Sequence, residues 1–544
     1  MHMIELERIA AAAGIAAEHL VPHGRGQAKV MLDALADRRP RAKLCLISAI
    51  TPTDFGEGKT TLAIGLAQAL ERLGHRSALA LRQPSMGPVF GRKGGGTGGG
   101  RSTLVPADSI NLHFTGDFHA ITTAHNLLAA AIDNRLYHRH TRLDAEQVRW
   151  PRVLDIDDRA LRSVRIGQDQ QGVPRASRFD ITPASEIMAA FCLAESLADL
   201  RARLDRMVVG FAADGEPVLA AELKVTGAML AVLRDALAPN LVRSGEGVAA
   251  FVHGGPFGNI AHGCNSILAT RMAMTAADYA ITEAGFGFDL GGEKFFDIKC
   301  RAAGLAPDVV VIVATLRALK AHGGKAVTEL ATPDPDAVLR GVDNLGAHID
   351  AAAQFGRPVV VALNQFPADT TAEEQLVLEF CRARGVPCAT ADVYARGGAG
   401  GEQLAALVVA AGAGPPPTLL PLYRVEAAIA AKIDTIATRI YGADGADFTE
   451  LARRKIERFT RAGFGALPIC MAKTQSSLAD TPKRVGRPRG FRITVRDLDV
   501  ASGAGFLVAL TGEIVRMPAL PRSPAAERID VDERGRITGL AAEA

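Results

Sequence analysis

The stretch Thr51-Pro52-Thr53-Asp54-Phe55-Gly56-Glu57-Gly58-Lys59-Thr60-Thr61 brings together the residue types that hold a nucleoside triphosphate. Glycines let backbone N–H groups approach phosphate oxygens, a lysine reaches the outer phosphates, and a hydroxyl can ligate magnesium. The candidate ATP ligands are Thr53, Gly56, Glu57, Gly58, Lys59, Thr60 and Thr61, with Lys59 also catalytic and Thr60 the magnesium ligand. A strict form of this loop carries glycine where Thr53 stands, so the motif is a variant.

A second concentration begins at Arg82 and runs through Arg92-Lys93 into glycine at every position from Gly94 to Gly100 except Thr97, then Arg101. Backbone without side chains comes close to a ligand, and the flanking cations suit phosphate or carboxylate. Lys93, Gly94, Gly95, Gly98 and Gly99 are the candidate anion loop. Further on, His113, Asp117 and His119 form a polar cluster. It either moves a proton or holds an ion, or it is a hydrogen-bonded structural cluster at a helix start. His253-Gly254-Gly255-Pro256-Phe257-Gly258-Asn259 follows a strand and is a candidate turn at the nucleotide site. The seven cysteines (Cys45, Cys192, Cys264, Cys300, Cys381, Cys388, Cys470) are scattered and never spaced C-x-x-C, which argues for reduced, buried thiols and against a zinc clamp.

The elements that position these groups alternate. Lys43 to Ile50 is apolar enough for a buried parallel strand, and the phosphate loop follows it directly. Leu62, Leu66, Leu70 and Leu73 then recur at helical spacing, and Gly74 stops the helix before a strand over Ser77 to Leu81. Ala249 to Val252, Tyr279 to Thr282, Val309 to Leu316 and Pro358 to Leu363 are further strands. The pattern predicts an α/β protein built on a mostly parallel, doubly wound sheet, P-loop NTPase-like, with smaller additional α/β domains. Ligands of such sheets sit beyond the carboxyl ends of the strands, where the candidate residues fall. We expect a nucleotide-binding domain over 1–333, a second α/β lobe over 334–414 and a C-terminal domain over 415–544, entered through Pro415-Pro416-Pro417. Residues Asp334 to Gly412 read equally as a continuation of the main sheet.

Composition narrows the partners. A chain of 544 residues, 48% hydrophobic and 22% charged, folds into more than one domain and is neither disordered nor fibrous. Its 62 basic and 59 acidic residues nearly cancel, which gives no global reason to bind nucleic acid or a membrane. The run Lys483, Arg484, Arg487, Arg489, Arg492 has no interleaved aromatic until Phe491 and reads as a solvated surface, or as a contact for an anionic substrate tail. Met1 to Leu20 contain Glu5, Glu7 and Glu18 and no basic start followed by an unbroken apolar stretch, so a secretory signal is not expected. The longest apolar runs, Val309 to Leu316 and Leu404 to Ala413, are too short to span a bilayer, so a cytoplasmic protein is expected.

Taken with Ile110-Asn111-Leu112-His113-Phe114-Thr115-Gly116-Asp117 and Val313-Ala314-Thr315-Leu316-Arg317-Ala318-Leu319-Lys320-Ala321-His322-Gly323-Gly324, the two loops resemble the formate-tetrahydrofolate ligases, also called formyltetrahydrofolate synthetases. The likeness continues through Glu293-Lys294-Phe295, Ala362-Leu363-Asn364-Gln365-Phe366-Pro367, Ala472-Lys473-Thr474-Gln475 and Ala504-Gly505-Phe506, so it covers nearly the whole chain. It implies ATP-dependent ligation of formate to N10 of tetrahydrofolate, giving 10-formyltetrahydrofolate, ADP and phosphate through formyl phosphate. Arg82 matches the arginine that holds the formyl phosphate and joins Lys59 as catalytic. Phe366, Pro367 and Tyr394 match the pterin slot, with tyrosine where tryptophan is usual, to which the 334–414 lobe contributes. Phe286 matches a further aromatic. ATP with Mg2+, a monovalent cation and a homotetramer are implied alongside the small-molecule substrates. The chain departs from the family at Gln83, usually glutamate, and at the end of the glycine tract, where Arg101 stands; both changes make the pocket more positive. The competing readings are a P-loop assembly or switch ATPase without folate chemistry, and a folate-binding protein with a degenerate nucleotide loop.

Overall fold

The computed structural model describes residues 2–36, 38–53, 56–91, 95–512 and 514–540. Strands β1 (Lys43–Ala49), β2 (Ser77–Leu81), β3 (Ala249–Val252), β4 (Tyr279–Glu283), β5 (Val309–Ala314), β6 (Val359–Asn364) and β7 (Cys388–Ala391) form the centre of a 12-stranded sheet. Their spatial order is β3-β2-β4-β1-β5-β6-β7, and every neighbouring pair is parallel. Beyond β3 the strands Asn240–Ser244, Ala28–Val30 and Leu20–Pro22 add on antiparallel. The segment 334–414, which the sequence leaves between a second lobe and a continuation of the main sheet, supplies β6 and β7 to that sheet.

Both faces of the sheet are covered, which is why its strands are apolar without alternation. In β1, Leu44 and Leu46 join one core while Cys45, Ile47 and Ala49 join another; β5 divides in the same way. Helices α1 (Lys59–Arg72) and α5 (Glu402–Ala411) pack into the second core through Leu62, Leu66, Leu70, Leu404 and Val408. Helices α2 (Ile267–Ala276), α3 (Leu316–His322) and α4 (Pro335–Ala353) cover the opposite face. Leu73, expected on the buried stripe of α1, instead caps that helix and is 40% exposed. Helix starts follow the local chemistry: Ser266 accepts from Ala269 N, Thr315 from Ala318 N, and Asp334, before Pro335, from Ala337 N.

Two smaller sheets adjoin. Leu143–Val148, Val208–Ala212 and Pro217–Leu219 form a three-stranded antiparallel sheet inserted between β2 and β3. After the proline run, β8 (Ala446–Phe448), β9 (Ile469–Ala472), β10 (Ile493–Ala501) and β11 (Phe506–Thr511) form a mixed sheet in the order β8-β10-β11-β9.

His125, His253 and His348 are among the imidazoles sealed inside this structure. His125 donates from Nε2 to Pro151 O at 2.9 Å, His253 sits 2.7 Å from Ser266 Oγ, and His348 Nε2 lies 3.0 Å from Thr51 Oγ1. Burial pushes each from 6.5 down to about 4. Between these values the unfolded chain binds protons that the native imidazoles refuse, so stability present above pH 6.5 is lost as pH falls toward 4. The expected loss is on the order of 3 kcal/mol for each imidazole at the acid end. Glu186 works the other way, since burial lifts its carboxyl to about 8. Urea denaturation across this range checks the balance, and a midpoint that does not fall on acidification would contradict it.

Candidate active site

The phosphate loop is clamped at its root. Thr51, just past β1, donates from its N to Asn344 Oδ1 at 3.2 Å, and its carbonyl accepts from His322 Nε2 at 2.8 Å. Its hydroxyl accepts from Asn344 Nδ2 at 3.0 Å and also meets His348. Helices α3 and α4 therefore fix where the loop begins. Its far side is closed by Glu57, whose carboxylate accepts from Thr53 N at 2.8 Å and from Thr53 Oγ1 at 3.2 Å. Asn364, the last residue of β6, donates to Glu57 O at 3.1 Å. Gly58 adopts φ +72°, and a Cβ there would stand 2.5 Å from Asn364 Nδ2. Only glycine satisfies both the left-handed backbone and that approach.

Lys59 opens α1, so the positive end of a 14-residue helix and an ammonium point to the same place. Burial pulls Lys59 below the usual lysine range; Glu57 and Glu283 oppose the shift and Arg82 adds to it. Thr60 Oγ1 donates to Glu283 Oε2 at 2.8 Å, and Arg82 Nε stands 3.9 Å from Glu283 Oε1. Lysine, hydroxyl, carboxylate and guanidinium thus meet where β1, β4 and β2 end side by side. Glu283 was not singled out from the sequence. Its signal is a lone carboxylate ending a buried apolar strand, but only the strand order reveals that this strand is the neighbour of β1.

Arg82 is half-buried. Its Nη1 donates to Pro256 O at 3.3 Å, and its Nε has no hydrogen-bond partner among the described residues. The guanidinium lies flat on Gly285, where an added Cβ would be 2.9 Å from Nη1. Phe286 follows with φ +61° and packs against Gly258 of the turn after β3. That turn, His253 to Asn259, therefore borders the site. Gln83 is buried, and its Oε1 has no hydrogen-bond partner among the described residues.

Tyr394 and the glycine tract, far apart in sequence, lie against each other. Gly98–Gly99 pairs antiparallel with Ser102–Thr103, and Arg101 N donates to Tyr394 O at 2.9 Å. Gly100 has φ +58°, and a Cβ there would fall 2.2 Å from Tyr394 O; one on Gly99 would be 2.9 Å from the ring. Tyr394 is 44% exposed, so its ring has a face for a ligand. Gly96 N is already engaged by Asn111 Oδ1 at 2.7 Å, and Arg101 N, just past the tract, by Tyr394 O. Gly95 rests against the Asn111 amide. Arg92, Lys93 and Gly94 fall outside the described residues.

Phe366 and Pro367 follow β6, and Gln365 N donates to Ala391 O at 3.0 Å, which sets this segment beside the end of β7 that leads to Tyr394. The Arg317 guanidinium stacks 3.9 Å above the Phe366 ring, a partner sequence reading missed. Pro367 is exposed.

The polar cluster divides. Asp117 is 1% exposed and turns inward, accepting from Lys29 Nζ at 2.8 Å and Asn240 Nδ2 at 2.7 Å. His113 and His119 are exposed, with ring centroids 6.3 Å apart. In the basic run, Arg487 pairs with Asp350 and Arg492 with Asp447, so part of its charge is neutralised on the surface. All seven cysteines are free thiols, and six are buried.

The family model described as "Formate--tetrahydrofolate ligase" matches residues 1–541. The chain is 53% identical over 542 residues to a formate–tetrahydrofolate ligase of Symbiobacterium thermophilum, covering 98% of this chain and 97% of that protein. It is 51% identical over 539 residues to one of Myxococcus xanthus, covering 98% of each.

Proposed function

The chain belongs to the formate–tetrahydrofolate ligase family, and from that premise we propose that it joins formate to N10 of tetrahydrofolate with conversion of ATP to ADP and phosphate. The observation that carries the reading is the meeting of Lys59, Thr60, Glu283 and Arg82 at the carboxyl edge of a parallel sheet. We further propose that the main sheet and its loop are P-loop NTPase-like, and that residues 1–333, 334–414 and 415–544 act as nucleotide domain, folate-contributing lobe and C-terminal domain.

In the proposed reaction a formate oxygen attacks the γ-phosphorus, and the bond to the β-bridging oxygen breaks to release ADP. Lys59 balances the charge that builds on the outer phosphates. Arg82 offers a planar fork to the resulting formyl phosphate, and its unpartnered Nε is an available donor. The N10 amine then attacks the formyl carbon, and phosphate leaves. Gly56 and Gly58 give the loop amides their approach to the triphosphate, while Thr53, Glu57 and Thr61 shape the loop and the helix start. The pterin lies between Tyr394 and the face of Phe366 that Arg317 leaves open, with Pro367 and Phe286 at its border. Gly95, Gly98 and Gly99 wall the anion side.

Thr60 Oγ1 and the Glu283 carboxylate fit Mg2+, which takes one or two protein oxygens and keeps several waters. When bound, it neutralises charge on the β- and γ-phosphates. A monovalent cation would find at Gln83 a neutral amide oxygen without a protein partner. Among the described residues no helix is long and apolar enough to cross a membrane. A cytoplasmic homotetramer completes the proposal, and light scattering tests its mass.

Product formation from formate, MgATP and tetrahydrofolate, with each omitted in turn, tests the reaction. Product requiring all three supports it; ATP turnover indifferent to formate and folate would favour a switch ATPase. Glu283→Gln keeps a hydrogen-bond acceptor for Thr60 but removes the charge. It is expected to weaken ATP binding about tenfold in magnesium and to change it little in chelator. Equal loss in both conditions would remove Glu283 from the metal's surroundings.

A further inference from the structure

A cavity of about 540 Å³ opens where the three-stranded sheet meets the C-terminal sheet. Neither Lys59, Arg82, Glu283, Phe366 nor Tyr394 lines it. The volume is that of a small-molecule site.

Its charge is lopsided. Seven arginine or lysine side chains line it against four carboxylates, in a chain whose whole formal charge is +3. Some of these charges are matched: Lys455 lies 2.5 Å from Asp497, Arg178 2.8 Å from Asp180, and Arg516 contacts Asp499. Arg149, Arg162 and Arg458 make no ion pair among the described residues. Glu186 offsets little, because its carboxyl accepts from Gly503 N at 2.6 Å in a buried setting that lifts it to about 8. A concave wall with unmatched cations concentrates anions.

Flat rings also line it. Trp150 stacks on His125 with centroids 4.4 Å apart and planes 19° off parallel, and the Arg458 guanidinium lies 3.5 Å over the Phe211 ring. His125 is 2% exposed, and its Nε2 donates to Pro151 O. We propose that this cavity binds an organic polyanion, a small molecule with several carboxylate or phosphate groups on a planar body. Guanidinium forks take both kinds of anion in pairs of hydrogen bonds, so carboxylate and phosphate are separated by experiment.

Trp150 is the single tryptophan of the chain, so its emission reports occupancy of this cavity directly. The full-length protein is titrated with adenosine diphosphate as the phosphate probe and benzene-1,3,5-tricarboxylate as the carboxylate probe. A saturable change below millimolar concentration is expected for at least one, retained in Lys59→Ala, whose nucleotide loop is disabled. Arg149→Gln and Arg458→Gln are each expected to weaken it about tenfold. Arg149 is exposed and unpaired, so that variant keeps the fold even if loss of Arg458 from Phe211 disturbs it. No saturable change with either probe, a change indifferent to both arginine variants, or one that vanishes in Lys59→Ala overturns the site.

Discussion

Arg82→Ala is expected to lower product formation about a thousandfold while the protein stays folded and still binds ATP. The stability part follows from how little holds this side chain: one hydrogen bond of 3.3 Å to Pro256 O and a carboxylate at 3.9 Å. Its guanidinium, flat on Gly285 with Nε unused, is placed for a ligand more than for the fold. The kinetic part follows from where charge develops. An acyl phosphate and its preceding transition state present several oxygens at once, which a planar fork meets and an ammonium does not. Arg82→Lys should therefore recover only a small part of the loss, and the fall should appear in kcat more than in the KM for ATP. Steady-state kinetics beside a thermal melt decide this. A variant within tenfold of the parent, or one whose melt collapses, would return Arg82 to a structural role.

What the sequence reveals of this site is what is local. Gly56, Gly58, Lys59 and Thr60 stand in one turn between a strand and a helix, and their chemistry needs no tertiary information. Glu283 was passed over because it touches Thr60 only after β4 inserts between β1 and β2, and strand order is not written in apolar periodicity. Arg317 over Phe366 was missed for the same reason, since it requires β5 and β6 to be neighbours. Tyr394 and the glycine tract were each marked, yet nothing in either stretch says that one rests on the other. Asp117 shows the opposite failure: grouped with His113 and His119 by spacing, it turns inward because Lys29 and Asn240 arrive from strands far away in sequence. Alternating strands and helices gave the mostly parallel sheet. They left open whether 334–414 extends it, because a parallel strand looks the same in either sheet.

The largest stability effect is expected at Asp289→Ala, about 3–5 kcal/mol. Asp289 follows β4 and Lys473 follows β9, and their side chains meet at 3.0 Å with neither exposed to water. The contact is close but not aligned as a hydrogen bond, so the attraction is mainly between charges. Burial already pulls Lys473 below the usual lysine range, and Asp289 is the largest opposing influence. Without it the ammonium keeps neutral partners, Thr474 O, Ser477 O and the face of the Tyr441 ring. The native amine then sheds its proton more readily while the unfolded one titrates near 10.5, so the variant should recover stability as pH rises toward that value. Replacing both partners with apolar residues, Asp289→Leu with Lys473→Met, should lose far less than the single change, because no charge is stranded. The pair also ties the C-terminal sheet to the phosphate loop, since a Cβ on Gly287 would touch Asp289 Oδ1, His348 and Ile50 O together. Urea denaturation of the single and double variants at neutral and alkaline pH tests the account. A single-variant loss below about 1 kcal/mol, or one unchanged by pH, would mean that water reaches the pair and that the two sheets are held together by packing alone.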